Sequence, residues 1–330
     1  MSQNSSFFLA ADGKYFPYAC LAARRVLDVS GNSIPGYILQ TGADPRDLDA
    51  ARQLLGNQVT VIDASAMLED FEVNAKRLGL AAYLRLFVDR LPEFQSFDRL
   101  IYADCDVMFN ISIEELARID LKGALLAAHD DQQYFEMKYR ARLPMKEGAP
   151  YFNSGVLVLN MRRIREEGLL EQARQFAQEH RDLCVQHDQD ALNVVFEGKW
   201  QTMDPRWNAM TNFTDQIRFE NAFARHFSWG KPWAGNRLGV EPQALAIYRG
   251  LARTTPWLPR FYGAGIQSKL RLSLKRVIRK FDACLGILLG KEKLRRRARY
   301  SVKRASAVFG MHAENGMLAV QFPETLIGLN

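Results

Sequence analysis

The segment RLIYADCDVMFN, residues 99–110, places two carboxylates at the end of an apolar run. Arg99 to Ala103 is typical of a buried strand, and Asp104 and Asp106 follow before the chain returns to apolar residues. Because strand side chains alternate between faces, both carboxylates point to the same side. Burying two such charges is costly unless a cation binds them. The segment therefore predicts either a metal site or an ordinary strand exit into solvent.

Short apolar runs alternate with amphipathic segments through the first half of the chain. This pattern predicts an α/β fold, with a mostly parallel central sheet flanked by helices. Strands are predicted at 5–11, 36–42, 58–65 and 98–107, and helices at 17–30, 44–56 and 75–92. Ligands of such sheets lie beyond the carboxyl ends of the strands, so polar residues after the first and fourth strands should share one rim.

The second half of the chain has a more mixed pattern. We predict strands at 123–131 and 150–161, helices at 162–180 and 187–198, and irregular chain from 200 to 240. No linker interrupts the sequence before TTPWLPRFYGAG, residues 254–265. We therefore expect one domain over 1–258 and a helical appendage over 259–330.

Two further segments place polar groups at the ends of predicted elements. Asn153, Ser154 and Gly155 open a strand-like run, which indicates either a bulge or close approach of the backbone to a ligand. HDQD, residues 187–190, begins a predicted helix. One Asp there is normally a cap, and the remaining polar groups could face a substrate with many hydroxyls.

The segment HFSWGKPW, residues 226–233, supplies an imidazole and an ammonium group. His226 could complete a metal site with the two carboxylates, or it could be structural. Oxygen ligands combined with imidazole favour Mn²⁺, although Mg²⁺ also suits the carboxylates. Lys231 could place a charge near a phosphate. No Walker-type or Gly-x-Gly-x-x-Gly segment occurs, which excludes the usual glycine-rich nucleotide loops.

Taken together, AADGKY, YLRL, YADCDV, YFNSGVLVLN, HDQDALN and HFSWGKPW resemble the ordered motifs of glycosyltransferase family 8, from about residue 6 to residue 235. The resemblance implies a GT-A-type nucleotide-sugar-binding fold. It also implies a retaining transferase that moves a hexose from a UDP-sugar to a saccharide with Mn²⁺ bridging the diphosphate. The chain is similar to bacterial transferases that add galactose or glucose to lipopolysaccharide cores.

The resemblance assigns a role to each matching position. The expected metal ligands are Asp104, Asp106 and His226. The expected nucleotide contacts, with Tyr15 stacked on uracil, are Ala10, Asp12, Tyr15, Asp104, Cys105 and Lys231. The expected contacts of the donor hexose are Arg85, Asn153, Ser154, Asp188 and Gln189.

Retention of the anomeric configuration normally involves a carboxylate nucleophile. The residue that the resemblance places at that face is Gln189, and an amide is a poor nucleophile. We therefore favour attack from the front face, assisted by the leaving diphosphate. A covalent intermediate on Asp188 or Asp190 is the alternative.

The chain departs from the family pattern at two positions. Lys14 stands where the family usually has Asn, and the spacing from His226 to Lys231 is one residue shorter than usual. Two other functions therefore stay open beside the transferase. One is a metal-dependent nucleotidyltransferase, and the other is a degenerate protein that binds nucleotide-sugar or membrane without turnover.

The charge of the chain is concentrated at its end. Residues 260–330 contain 15 Lys and Arg against 4 Asp and Glu, so they carry +11 while the rest carries −4. Leu270, Leu274, Val277 and Phe281 recur at helical spacing among basic residues, which is typical of a helix on an anionic membrane surface. A helix docked on the body is the alternative. We expect no nucleic-acid partner, because the body has no matching basic character and the tail has few aromatics.

The remaining features concern the compartment and the acceptor. The four cysteines have no metal or redox spacing, the N-terminus has no basic leader, and no apolar run is long enough to cross a bilayer. We expect a cytoplasmic protein, peripheral on the cytoplasmic face of the inner membrane. A saccharide or glycolipid acceptor is expected to meet the variable segment 131–150, where Tyr134, Tyr139 and Arg140 are candidates.

Overall fold

The computed structural model describes residues 4–31, 33–75, 79–131, 141–211, 217–234 and 240–262. The strands in these ranges are β1 (Ser5–Asp12), β2 (Gly36–Thr41), β3 (Val59–Asp63), β4 (Arg99–Ala103), β5 (Val107–Phe109), β6 (Leu126–Asp130), β7 (Phe152–Asn160), β8 (Trp200–Thr202), β9 (Ala209–Met210) and β10 (Ala224–His226). The α-helices are α1 (Phe16–Ser30), α2 (Pro45–Leu55), α3 (Ile113–Ala117), α4 (Met161–Glu166), α5 (Leu169–Glu179), α6 (Asp188–Val195) and α7 (Pro242–Leu251). Short 3-10 helices lie at Ser65–Leu68, Leu80–Phe87, Pro92–Phe94, Pro205–Asn208, Phe219–Asn221 and Leu258–Phe261.

The large sheet has the strand order β3-β2-β1-β4-β7-β6-β8. Strands β3, β2, β1 and β4 are parallel, β7 runs antiparallel to both β4 and β6, and β8 is parallel to β6. The mostly parallel sheet predicted from the sequence is thus confirmed. Because β7 is reversed, its first residues lie at the same rim as the last residues of β1, β4 and β6.

Alternating side chains of the sheet enter two separate cores. In β1, Phe7 and Leu9 join a core with α1 and α7, whereas Phe8 and Ala10 join a core with α5 and α6. In β4, Ile101 and Tyr102 divide in the same way. Helices therefore cover both faces, which explains why the strands are continuous apolar runs.

A second, small sheet has the order β5-β10-β9. The predicted strand 98–107 was wrong in its extent, because β4 ends at Ala103 and a turn closed by Val107 N–H on the Asp104 carbonyl leads into β5. Strand β10 pairs antiparallel with β5, and His226 lies opposite Val107. The small sheet therefore brings a histidine from far along the chain beside the Asp104–Asp106 turn.

Two predicted helices were also wrong in form. Within 75–92, the described residues form a 3-10 helix, Leu80–Phe87, in which Arg85 Nε donates to the Ala82 carbonyl. The predicted helix 162–180 is divided into α4 and α5 at Gly168, whose φ of 61° is in the left-handed region. Apolar periodicity continued through both sites and did not reveal either interruption.

The end of the described chain packs on α1 through aromatic rings. Trp233 stacks on Tyr18 with ring centroids 3.8 Å apart, and Phe261 stacks on Tyr248 at 5.4 Å. Phe261 is thereby buried in the core that also contains α1 and α7. The basic residues predicted to form membrane-surface helices lie beyond 262, outside the described residues. Within the described ranges, no helix has the length and apolar character needed to span a bilayer.

Candidate active site

Three neighbouring strands bring polar residues to one rim of the large sheet. Asp104 follows β4, and its N–H donates to the Gly155 carbonyl at the start of β7. Asn153 of β7 lies opposite His129 of β6, which places Asp131 at the same rim. The rim therefore collects carboxylates and amides from three neighbouring strands, as parallel-sheet topology leads one to expect.

Asp104, Asp106 and His226 form a compact cluster with one ligand atom from each within 4.8 Å of the others. His226 Nε2 lies 3.4 Å from Asp106 Oδ1 and 3.8 Å from Asp104 Oδ2. Asp106 and His226 are buried, whereas the Asp104 side chain is 29% exposed. The cluster is thus open on one side, which leaves room for ligands that the protein does not supply.

A chain of hydrogen bonds orients the His226 ring. Gly155 N–H donates to Asn153 Oδ1, and Asn208 Nδ2 donates to the same oxygen at 2.9 Å. The Asn208 amide therefore presents Oδ1 to His226 Nδ1, 2.8 Å away, so Nδ1 carries the proton. The lone pair of Nε2 is left to face the two carboxylates, as in metal-binding histidines. Two carboxylates and a neutral imidazole fit Mn²⁺ well, and Mg²⁺ less well.

Each carboxylate of the cluster is paired with a cation of the protein. Asp104 Oδ1 accepts from Tyr102 Oη at 2.5 Å and from Arg85 Nη2 at 3.0 Å, and Lys231 Nζ contacts Asp106 Oδ2. Burial opposes ionisation of Asp104, but the Arg85 guanidinium and the Tyr102 hydroxyl outweigh it and lower its pKa. Asp104 is therefore ionised at neutral pH and available as a ligand.

Arg85 links the cluster to the start of α6. Its side chain is 6% exposed and stacks over the Tyr102 ring at 3.9 Å. Its Nη1 donates to the Ser154 carbonyl at 2.6 Å, and its Nε lies 3.0 Å from Asp188 Oδ2. One buried guanidinium therefore holds two carboxylates and the start of β7 in fixed positions.

The side-chain amide of Gln189 is held at both ends. Its Oε1 accepts from Ser154 N–H at 2.9 Å and from Ser154 Oγ and Asn153 Nδ2 at 3.3 Å. Its Nε2 donates to Tyr151 Oη at 3.2 Å and to Asp131 Oδ2 at 3.4 Å. Gln189 is therefore fixed by the protein and has no spare acceptor position with which to attack a substrate.

Asp190 lies in the first turn of α6, and its carboxylate is engaged within the fold. Tyr151 Oη donates to Asp190 Oδ1 at 2.7 Å, and Gln186 N–H donates to Oδ2 at 2.6 Å. The N-cap position of α6 is instead taken by His187, whose φ of 59° is a strained value for a non-glycine residue, so the Asp cap expected from the sequence is wrong. Both oxygens of Asp190 thus accept hydrogen bonds from the protein.

Two buried carboxylate oxygens at the rim accept no hydrogen bond from the described residues. One is Asp188 Oδ2, whose contact with Arg85 is an ion pair without hydrogen-bond geometry, and the other is Asp131 Oδ1. Both side chains are more than nine-tenths buried. Such acceptors are stabilised when a ligand supplies hydroxyl donors.

The expected nucleotide contacts lie on the β1 side of the rim. Ala10 is buried in β1, and Asp12 Oδ1 accepts from Tyr15 N–H at 2.8 Å, so Asp12 orders the turn before α1. Tyr15 and Cys105 pack against the same core cluster. Burial, aided by Asp104, raises the pKa of the Cys105 thiol to about 12, so it is a neutral packing group.

Sequence reasoning missed four residues that build the site. Tyr102 and Asn208 orient a carboxylate and the histidine, and Tyr151 and Asp131 hold Gln189. Asp131 had a usable signal, since it is the last residue of the predicted strand 123–131. The acceptor candidates Tyr134, Tyr139 and Arg140 lie outside the described residues.

Gly155 should not tolerate a methyl group. A Cβ at this position would lie 2.4 Å from His226 Cε1 and 2.7 Å from Nδ1, so Gly155→Ala must displace the ring from the cluster. We expect the affinity of the cluster for a divalent cation to fall about 10- to 100-fold, as for other changes that misorient a ligand histidine. Calorimetric titration measures this affinity.

Gly250→Ala is the matched control, because a Cβ on this helical residue meets nothing within 4 Å. We expect this variant to bind as the wild type does and to be stabilised by up to about 1 kcal/mol. Unchanged binding by Gly155→Ala would show that the ring position has no part in ligand binding.

Asp188 should make the stability of the protein fall with rising pH. Burial raises the pKa of Asp188 to about 7, against the opposing effect of Arg85, from an ordinary value of 3.8. The folded state therefore holds a proton that the unfolded chain has lost, and this stabilising contribution disappears as the pH rises towards 7. Between about pH 5 and pH 7, we expect the wild type to lose about 2 kcal/mol relative to Asp188→Asn. Urea unfolding of both proteins across this range measures the difference, and parallel curves would contradict it.

Comparison with known proteins identifies the family. The profile of glycosyl transferase family 8 matches residues 6–236. General stress protein A of Bacillus subtilis is 28% identical over 221 residues, covering 61% of this chain and 76% of that protein. A lipopolysaccharide 1,2-glucosyltransferase of Escherichia coli is 26% identical over 190 residues, covering 54% of this chain and 55% of that protein.

The fold comparison agrees with the sequence comparison. The crystal structure of the galactosyltransferase LgtC with donor and acceptor sugar analogues superposes with a TM-score of 0.65 at 22% identity, covering 78% of this chain and 99% of that one. This likeness confirms the predicted GT-A-type α/β fold. Since the family profile also spans well over half of the sequence, the chain belongs to glycosyltransferase family 8 and is a glycosyltransferase.

Proposed function

We propose that the protein transfers a hexose, galactose or glucose, from a UDP-sugar to a saccharide acceptor, with retention and with Mn²⁺ at Asp104, Asp106 and His226. The observation that carries this proposal is that the cluster shares its rim with two buried carboxylate oxygens, Asp131 Oδ1 and Asp188 Oδ2, which accept no hydrogen bond from the described residues. A metal ion bound by the cluster would attract a diphosphate, and the two carboxylate oxygens would accept hydrogen bonds from the hydroxyls of a sugar.

The side chains of the cluster would hold the metal, and the neighbouring cations would complete the charge balance. When bound, Mn²⁺ would bridge the diphosphate and stabilise the negative charge that develops on UDP as it leaves. Lys231, at the open edge of the cluster, would contact the leaving phosphate. Tyr15, half-buried at the β1 side, would face the uracil.

The hexose would lie between the cluster and Gln189. Arg85 keeps Asp188 and Asp104 apart at fixed distances, and Asn153 and Ser154 hold the Gln189 amide. Because the amide oxygen already has three donors, its role would be to shape the site and not to attack the sugar. The geometry favours attack of the acceptor hydroxyl from the face of the leaving diphosphate.

A lipid-linked acceptor is part of the proposal. The name of the Escherichia coli relative refers to lipopolysaccharide, and the +11 charge of residues 260–330 would suit an anionic membrane surface. We therefore propose that the enzyme extends a lipopolysaccharide core or a similar glycolipid at the cytoplasmic face of the inner membrane. Residues 263–330, which would make this contact, lie outside the described residues.

The proposal is tested by incubating the protein with UDP-, GDP- and CMP-sugars, with Mn²⁺ or with EDTA, and measuring nucleotide release with and without glycolipid. Release of UDP from one UDP-hexose, stimulated by glycolipid and abolished by EDTA, is the expected result. Release of pyrophosphate from nucleoside triphosphates would identify a nucleotidyltransferase instead. Metal-dependent binding of UDP-hexose without any release would identify a degenerate binding protein.

A further inference from the structure

In each of the two carboxylates of the cluster, one oxygen faces His226 and the other contacts a cation of the protein. Asp104 Oδ2 and Asp106 Oδ1 face His226 Nε2, whereas Asp104 Oδ1 contacts Arg85 and Asp106 Oδ2 contacts Lys231. Lys231 thus already neutralises Asp106, while Arg85 is shared between Asp104 and Asp188. A divalent cation bound to Asp104 Oδ2 and Asp106 Oδ1 would add two positive charges. The carboxylates, which are already paired with Arg85 and Lys231, do not fully offset them.

The two resident cations differ in how firmly they are held. Arg85 is 6% exposed, stacks on Tyr102, and is fixed by the carbonyls of Ala82 and Ser154. Its position is therefore part of the fold. The Lys231 side chain is 24% exposed, and its Nζ reaches back along its own loop to the Phe227 carbonyl at 2.7 Å. Lys231 carries a rotatable point charge on a flexible stem, so it can move when a stronger partner is present.

We propose that Lys231 is an exchangeable counter-ion, which neutralises Asp106 in the absence of ligands and moves to the diphosphate when metal and nucleotide bind together. This inference rests on the proposed function and specifies how its metal site is regulated. Metal alone binds weakly because Lys231 opposes it. The diphosphate draws Lys231 away and restores the full charge of Asp106 to the metal, so metal and nucleotide strengthen each other's binding. This coupling is reciprocal by thermodynamic linkage.

Lys231→Gln tests the exchange, because it removes the charge and keeps a polar side chain. We expect the dissociation constant of Mn²⁺ alone, measured by paramagnetic resonance of free Mn²⁺, to fall about ten-fold. We expect the dissociation constant of UDP at saturating Mn²⁺, measured by calorimetry, to rise about ten-fold. The two effects have opposite signs, whereas damage to the loop would weaken both.

Two further variants complete the design. Lys231→Arg retains the charge, so Mn²⁺ alone should bind it as weakly as it binds the wild type. Lys199→Gln removes an equal charge at the opposite rim of the sheet, where Lys199 pairs with Glu167 at 3.2 Å. This control should leave both dissociation constants unchanged. Thermal midpoints of all variants show whether each one is folded.

Each outcome of the titrations decides between the two proposals. If the wild type binds UDP with Mn²⁺ but Lys231→Gln binds Mn²⁺ alone no better, the exchange is wrong and the proposed function stands. If the wild type does not bind UDP with Mn²⁺, both proposals fail. Tighter Mn²⁺ binding in Lys231→Gln together with weaker UDP binding supports the exchange.

Discussion

Asp106→Asn should reduce the rate of sugar transfer by at least about 10³-fold. Asp106 Oδ1 is one of three donor atoms in the cluster, and the neutral amide of asparagine is a much poorer ligand for a divalent cation. The side chain keeps its size, so the packing of the turn is retained. Lys231, which loses the Asp106 carboxylate, keeps the Phe227 carbonyl and is partly exposed, so its ammonium group can be hydrated. Transfer measured as UDP release at saturating Mn²⁺ gives the effect directly.

Asp204→Asn is the matched control for this change. Asp204 pairs with Arg206 at 2.5 Å in an exposed ion pair, and its carboxylate is not part of the cluster. We expect its activity to remain within about two-fold of the wild type, because exposed pairs contribute about 0 to 1 kcal/mol. An Asp106→Asn protein that transfers sugar at the wild-type rate would remove the metal from the mechanism.

Arg85→Met should destabilise the fold and also abolish donor binding. The substitution leaves the carboxylates of Asp104 and Asp188 without their shared cation, one of them at a position that is 2% exposed. Removal of one partner from a buried ion pair costs about 3 to 5 kcal/mol. Urea unfolding at neutral pH measures this loss, and calorimetric titration with UDP-hexose and Mn²⁺ measures the loss of affinity.

Arg174→Met is the control that separates the loss of stability from the loss of donor binding expected for Arg85→Met. Arg174 is also buried, and it pairs with Asp89 and Glu171 away from the rim. We expect this control to lose stability and to keep its donor affinity. Asp188→Asn added to Arg85→Met should recover part of the stability, because it removes a stranded carboxylate. If the double variant loses as much free energy of unfolding as the two single variants together, the ion pair is not the way in which Arg85 stabilises the fold.

The sequence predicts the parts of the site that lie at the ends of regular elements. Asp104 and Asp106 follow a strand, and His187 to Asp190 begin a helix, so local patterns show that polar groups emerge there. The shared rim follows from strand topology. For His226 the pattern gives only a candidate, and the pairing of β10 with β5 explains how it reaches the carboxylates.

Other parts of the site depend on contacts that no local pattern contains. Arg85 lies in an apolar segment with helical periodicity, and its ion pairs reach 19 and 103 residues along the chain. Asn208 lies in an irregular segment and is tied to the site through His226 and Asn153. The sequence around Gly155 predicts that the backbone approaches another group closely, but only the structure shows that this group is the His226 ring.

The central claim is that Asp104, Asp106 and His226 bind a metal that holds the diphosphate of a UDP-hexose. The most direct measurement is thermal unfolding of the wild type and Asp104→Ala with UDP-, GDP- and CMP-sugars, in the presence or absence of Mn²⁺. A ligand of the folded state raises the midpoint according to its concentration over its dissociation constant. We predict that a UDP-hexose raises the midpoint of the wild type only with Mn²⁺, and that Asp104→Ala shows no rise. A wild-type midpoint that no UDP-sugar shifts at millimolar concentration would contradict the account and return the two carboxylates to an ordinary strand exit.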